Sequence, residues 1–306
     1  MTSINTNNAA MAALSTLRGI NSSLQSTQSA VSSGLRISNA SQNAAYWSIA
    51  TTMKSDIGAI GAVSDALGLG AAKVDTAYTA MDSAIDIVGQ IKNKLVTAKE
   101  GSVDKAKVQE ELGQLQAQLK SVAESASFNG ANWVVAASGG SASVVSSFVR
   151  NGSGGVAVTE SSYSFNTGSQ GNVLFGVNSS GEAETSSGIL GTTEHIGSSD
   201  FSVYSLDIRG MTGSGIDSSM NMVESALQAM TTAAAQLGSL SSRIDLQTTF
   251  ASSLSDAITS GVGKLVDANM EQESSKLSAL QTQQQLAVQS LSIANSSSQN
   301  ILSLFK

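Results

Sequence analysis

Residues 60–95 read IGAVSDALGLGAAKVDTAYTAMDSAIDIVGQIKNKL. Stepping alternately by four and three from Ile60 meets Ser64, Leu67, Ala71, Val74, Tyr78, Met81, Ile85, Val88, Lys92 and Leu95, and all but Ser64 and Lys92 are apolar or aromatic. The positions between are mostly Asp, Ser, Thr, Gly, Gln or Lys. A beat of this kind, sustained over several heptads, marks a seam along one face of a long helix. Such a helix cannot bury its stripe alone in water, so the rest of the chain has to supply partners.

Composition narrows what those partners can do. The 306 residues leave room for two or three domains or one elongated one. A net charge of -7 speaks against nucleic acid as a partner, which would call for a basic patch. Charged residues make up only 13%, about half the usual share. Ser, Thr, Gln, Asn and Ala take their place, and a surface of that kind repels its own copies weakly. Cysteine is absent, so there is neither a disulfide framework nor a thiolate site. Proline is absent too, which suits long uninterrupted helices because proline removes a donor and clashes with the preceding turn. The N-terminus lacks the basic start and apolar run of a cleaved signal peptide. No window approaches the roughly 18 continuous apolar residues of a membrane span, so no membrane insertion is expected.

Taken in order, residues 5–34 predict a first helix with a weak stripe of Ala10, Leu14, Leu17, Leu24, Val31 and Leu35. Polar Asn7, Asn21 and Gln28 share its seam, a pattern that lowers stability but can fix register. Gly34 stands where a left-handed C-cap belongs, and 38–43 is a polar joint. A second helix over 43–98 would measure on the order of 80 Å at 1.5 Å per residue, with Gly58, Gly61, Gly68 and Gly70 as weak places. A turn follows at 100–102, and Ser102 or Asp104 can cap the next helix. Its stripe is Val108, Leu112, Leu115, Leu119, Val122 and Ala126, and the short turn folds it back on the long helix.

The character changes at Phe128-Asn129-Gly130. Residues 130–215 hold 16 of the 28 glycines and no lysine. Segments 143–149, 155–165, 172–177 and 201–208 are rich in β-branched and aromatic residues between Gly/Asn/Ser turns, which predicts short antiparallel strands. Helical order returns at 216 with Met220, Val223, Leu227, Met230, Ala234, Leu237 and Ile244, and weakens at Gly261-Val262-Gly263. A last helix over 269–298 offers Leu277, Leu280, Ala287 and Leu291, followed by an apolar tail of Ile301, Leu302, Leu304 and Phe305. The expected fold is mainly α with a β-rich insert. Both termini form a long antiparallel helical bundle or coiled coil, and a small antiparallel β domain is looped out. The divisions fall at 1–42, 43–130, 131–215, 216–263 and 264–306.

No catalytic, cofactor or metal constellation emerges. The single histidine, His195, sits beside Glu194 in a Gly/Ser/Thr loop, whereas a metal site needs three or four converging ligands. The glycine-rich stretches 152–155 and 188–191 lack the spacing and the Lys of a phosphate loop. The informative places are the two joints, 32–37 and 263–269, each with a cation among small residues. Arg36 and Lys264 read as solvated cations at helix ends; the other reading is that Arg36 and Asp267 hold the joint between helix pairs, within a molecule or across an assembly contact.

At these joints the chain resembles bacterial flagellin. The resemblance is carried by Ser3-Ile4-Asn5-Thr6-Asn7, by Ser32-Ser33-Gly34-Leu35-Arg36-Ile37-Ser38-Asn39-Ala40, and by Lys264-Leu265-Val266-Asp267-Ala268-Asn269. Residues 283–295 and 299–304 add to it. It covers about 1–130 and 216–306 and is closest to the short flagellins of alphaproteobacteria. Where the family usually has two acids and then Ala-Ala-Gly, this chain has Gln42-Asn43-Ala44-Ala45-Tyr46, and Asn269 replaces a further acid. The resemblance implies a structural, non-enzymatic subunit without cofactors that self-assembles into the flagellar filament, with Arg36, Gln42, Asn43, Tyr46, Lys264, Asp267 and Asn269 at the joint. It implies export without a cleaved signal through the flagellar export apparatus. A chaperone, hook-associated and cap proteins, and other flagellins of the same filament are the implied partners. A hook–filament junction protein with the same terminal helices is the alternative. An enzyme housed in the insert is a third reading, which the lack of converging His, Asp and Lys there disfavours.

Overall fold

The stripe of 60–95 belongs to α2, a single helix over Ala44–Ala98 of 55 residues. The computed structural model describes residues 6–152, 155–178, 181–197 and 199–303, with side chains to 296. The matching segment 3–5 and the tail residues Leu304 and Phe305 lie outside them, as do the side chains of Ile301 and Leu302. Four further helices follow the expected plan: α1 (Asn8–Ser33), α3 (Lys105–Ser125), α4 (Gly213–Val266) and α5 (Met270–Ser303). Neither the α2 glycines nor Gly261 and Gly263 interrupt their helices. By length and composition α2 is long and apolar enough to cross a membrane, contrary to expectation. The core helix of a soluble protein passes the same test, and the apolar stripe of α2 is packed in a protein core.

The chain forms two compact units, Ala59–Leu254 and the pair of end segments Met1–Gly58 and Ser255–Lys306. In the first unit α2 buries Ile60, Leu67, Val74, Met81, Val88 and Leu95, as the beat requires. The companion line, however, lies three residues after each of these and not four. Val63, Gly70, Ala77, Ala84, Ile91 and Ala98 are buried, whereas Ser64, Ala71, Ile85 and Lys92 are half-buried and Tyr78 is exposed. Helix α4 repeats this shift: Ser219, Ala226, Ala233 and Leu240 are buried beside Val223, Met230, Leu237 and Ile244, while Met220, Leu227 and Ala234 are half-buried. The physical reason is close approach. A small residue on this line leaves room for a neighbour's side chain: a Cβ added at Gly70 would stand 2.1 Å from Val144 Cγ1.

Three cross-links set the register of α2 against α4. Lys99 Nζ meets Asp217 Oδ1 at 2.5 Å, Lys92 Nζ meets Glu224 Oε2 at 2.6 Å, and Ser241 Oγ donates to Asp75 Oδ1 at 3.1 Å. Each step along α2 between these sites is matched by an equal step back along α4, so the helices run antiparallel without slippage. Lys92 also holds the Glu224 carboxyl below its ordinary value. Asp104 caps α3 through Ala106 N, and Lys94–Glu111 at 2.5 Å ties α3 back to α2. These are exposed pairs, screened by solvent, and each contributes little. The stability comes from the shared apolar core.

Among the described residues four two-stranded antiparallel sheets lie at the entry to the insert and within it. β1 (Ser127–Phe128) and β2 (Ala131–Asn132) flank Asn129 and Gly130, whose φ values of 50° and 79° make the tight Asn-Gly turn. β3 (Ser141–Arg150) pairs with β4 (Val156–Ser164) with a bulge at Ser146, between Val145 and Ser147. β5 (Gly176–Val177) pairs with β6 (Ala183–Glu184), and β7 (Glu194–Ile196) with β8 (Ser199–Phe201). The insert returns its apolar side chains to the helices: Val144, Phe175, Leu190, Val203, Leu206 and Ile208 share one core with α2, α3 and α4.

Two strand expectations are cut short. Of 172–177 only Gly176–Val177 is strand, and 201–208 leaves the ladder after Phe201. Buried backbone still needs partners, and α3 supplies them from side chains. Gln116 Nε2 donates to the Val203 and Leu206 carbonyls at 3.1 Å each, and Gln109 donates to the Leu206 carbonyl at 3.0 Å and accepts from Ile208 N at 2.8 Å.

Trp133, Tyr163 and Phe165 stack and cross in one aromatic cluster. The Tyr163 hydroxyl is buried without a hydrogen-bond partner. Burial pushes it from 10.0 up to about 12, with the Asn172 side chain, outside good bonding geometry, pulling weakly the other way. A raised value means that the protonated form is favoured on folding. Its contribution is complete below pH 10 and lost as pH rises towards 12, on the order of 2–3 kcal/mol. Tyr163→Phe is expected to abolish this alkaline loss and to gain about 1 kcal/mol at neutral pH by removing an unpartnered hydroxyl. Urea melts of both proteins between pH 7 and 11.5 check it: equal slopes against pH would refute the assignment.

Candidate assembly site at the joint and the paired end helices

The second unit is built from the chain ends. Asn7 caps α1 by accepting from Ala10 N, and Gly34 ends it with φ 71° and its N–H on the Ala30 carbonyl. Glycine is required there because other residues resist the left-handed region. The chain then runs beside the end of α4. Leu35 and Asp267 form an antiparallel bridge. Arg36 N and Ile37 N donate to the Val266 carbonyl at 2.7 and 3.2 Å, and Ala268 N donates to the Gly34 carbonyl at 2.9 Å. Ile37, Ala50, Val262 and Val266 close a small core over this ladder.

The joint residues take distinct roles. Arg36 Nη2 donates to the Leu265 carbonyl at 2.7 Å, satisfying a carbonyl in the last turn of α4, where a cation is favoured. Asp267 contributes its backbone to the bridge. Its carboxylate lies over Gly263, where a Cβ would stand 2.7 Å from Oδ2. Gln42 Oε1 accepts from Ser38 N, Ser38 Oγ and Asn39 N at 2.6, 3.3 and 3.4 Å, so a neutral amide closes the loop. Asn43 caps α2 through Tyr46 N at 3.1 Å, and Asn269 caps α5 through Gln272 N at 3.2 Å. Lys264 is exposed, and the Tyr46 ring is largely exposed on the first turn of α2.

Beyond the joint α1 and α5 run antiparallel. Asn7 Nδ2 donates to the Ala294 carbonyl at 2.9 Å, and Gln284 Nε2 donates to Asn21 Oδ1 at 2.7 Å. Their facing lines are Ala10, Ala13, Leu17, Ile20, Leu24, Thr27 and Val31 against Leu277, Leu280, Gln284, Ala287, Leu291 and Ala294. Ala13 occupies the place given to Leu14, which is exposed. Leu17, Leu24, Val31 and Leu291 are half-buried, and only Thr27 and Leu280 are buried. The Thr27 hydroxyl has no partner. Met11, Leu286, Val288 and Ile293 are more than half exposed. Two helices alone cannot cover both sides of a seam, so these large apolar side chains remain on the surface of the pair.

His195 Nδ1 lies 2.8 Å from Asp200 Oδ1 across the β7–β8 hairpin, with both side chains exposed. Among the described residues no group of three or more His, Cys, Asp or Glu converges as a metal site would require.

Residues 4–137 match the bacterial flagellin N-terminal helical region, and 220–305 match the bacterial flagellin C-terminal helical region. The chain belongs to the bacterial flagellin family. It is 48% identical to Flagellin A of Rhizobium meliloti, 47% to Flagellin C of Rhizobium meliloti strain 1021 and 44% to a flagellin of Brucella melitensis, in each case over the whole of both chains. It is therefore a structural, self-assembling subunit of the flagellar filament that acts outside the cell, and it is no enzyme. In this flagellin the joint is held mainly by backbone ladders and amide caps. Side-chain amides were visible in sequence as substitutes for acids, but the carbonyl partner of Arg36 had no local signal.

Proposed function

We propose that the paired ends of this flagellin, 1–42 and 264–306, form the innermost layer of the filament. In this reading 43–130 and 216–263 form the shell around that layer, and 131–215 faces solvent. The exposed apolar side chains of α1 and α5 carry the reading, because copies of the same pair would cover them while the unit over 59–254 already has its own core. Arg36, Gln42, Asn43, Tyr46, Lys264, Asp267 and Asn269 would set how the inner layer joins the shell. The seam residues Leu17, Leu24, Val31, Leu280 and Leu291 would hold each pair together. Head-to-tail repetition of one contact that does not close yields a helical polymer. Before assembly the chain would pass through the flagellar export apparatus. A chaperone would guard it, cap and hook-associated proteins would receive it, and other flagellins could share the filament.

The weakly packed ends would lose their conformational freedom only on assembly. Amide exchange tests this. In dilute subunits α1 and α5 are expected to exchange at least about 100-fold faster than in filaments, while residues buried between α2, α3 and α4 are slow in both. Slow exchange of both ends in a dilute subunit that does not polymerise would overturn the proposal.

A further inference from the structure

The end helices are almost free of charge. Arg18 is the one charged residue in α1, and α5 has Glu271, Glu273 and Lys276. Lys276 Nζ lies 3.7 Å from Glu273 Oε2, which leaves one cation and one anion over. Arg18 and Glu271 are exposed, and among the described residues neither meets an opposite charge. The pair cannot close within one molecule. Asn7 lies beside Ala294, Asn21 beside Gln284, and Gly34 beside Ala268. That register sets Arg18 and Glu271 about 14 residues apart along the helix pair, or about 20 Å.

Arg18 sits seven residues after Met11 and four after Leu14 on the face of α1 turned away from α5, and both of these side chains are exposed. Any neighbour that covers Met11 and Leu14 also takes Arg18 out of water. A cation removed from water without a counter-charge is strongly unfavourable. We infer that Arg18 of one copy pairs with Glu271 of a second copy displaced by about 20 Å along the end-helix pair. The inference rests on the reading of the end helices as an assembly surface. It adds to that reading a charge contact that fixes the axial step between neighbours.

Seeded growth of the full chain tests it. Arg18→Glu and Glu271→Arg are each expected to raise the critical concentration by at least about tenfold, and the double exchange to restore growth to within about threefold of the parent. Glu271→Arg also removes an acid from the first turn of α5, but the double variant carries the same loss, so restoration reports the pair. Because the chain has no cysteine, Arg18→Cys copies mixed with Glu271→Cys copies and polymerised well above the parent's critical concentration are expected to be joined into covalent dimers by a flexible bis-maleimide, whose reach matches an Arg–Glu span that a direct disulfide is too short to bridge. Single exchanges that grow like the parent, a double exchange no better than the singles, or a mixture without dimers would overturn the inference. Arg18→Glu growing normally while deletion of 270–306 still blocks growth removes the pairing alone. Growth after the deletion removes the underlying reading as well.

Discussion

A chain lacking residues 270–306 is expected to keep a folded body and to add nothing to a filament seed. The core of the unit over Ala59–Leu254 is complete without the end helices. It contains Leu67, Met81, Leu95, Leu112, Leu119, Val223 and Met230, all almost wholly buried, together with the apolar residues of the insert. The deletion removes the described partners of α1 beyond the joint: Leu277, Leu280, Gln284, Ala287, Leu291 and the Ala294 carbonyl that holds Asn7. An isolated helix with so sparse a stripe is marginal in water, so α1 would lose order along with α5. Far-UV circular dichroism should fall by little more than the helix content of α1 and α5, and electron microscopy of seeded mixtures should show no elongation. Deletion of 1–35 should do the same from the other side. Filaments of normal length from either truncated chain would place the polymerising surface elsewhere.

Gly188→Ala is expected to be severely destabilising, costing about 3 kcal/mol or more. Gly188 has φ 91°, a region other residues rarely adopt, and an added Cβ would stand 2.5 Å from the Leu174 carbonyl oxygen and 2.6 Å from Phe175 Cα. Those atoms belong to backbone, so no side chain can turn aside to make room. The surrounding chain is also fully engaged. Gly188 N donates to the Thr167 carbonyl at 2.8 Å, Ile189 N to Val173 at 3.0 Å and Leu190 N to Leu174 at 3.1 Å. Leu174, Phe175 and Leu190 are wholly buried, so displacing this crossing opens the core beneath it. Gly197 makes the comparison. Its φ is 71°, but nothing lies within 4 Å of an added Cβ, so Gly197→Ala should cost only about 1 kcal/mol. Thermal melts of the two variants separate them, and equal losses would contradict the steric argument.

The same distinction between local and distant causes explains what could be read in advance. Helix limits were legible because they depend on neighbours in sequence. The expected spans 5–34 and 43–98 correspond to Asn8–Ser33 and Ala44–Ala98, with Gly34 at its left-handed cap and Asn-Gly in its turn. Asp104, and not Ser102, became the α3 cap. At the joint, Asn43 and Asn269 were legible as polar helix starts. The use of Gln42 to close the 38–42 loop required the loop itself, and the hold of Arg36 on the Leu265 carbonyl depended on a segment 229 positions away.

The sequence by itself determined that this flagellin is a set of long antiparallel helices interrupted by a glycine-rich β segment, because a heptad beat, turn residues and missing proline act within a few residues of chain. Tertiary structure alone decided which side of each beat is buried. Lines three and four residues from a seam flank it equally, and apolarity favours Tyr78, Ile85 and Leu227, yet the buried positions are Ala77, Ala84 and Ala226. How closely two elements approach depends on residues in both at once, as where the Val144 side chain rests against Gly70. No single stretch of sequence contains that distance.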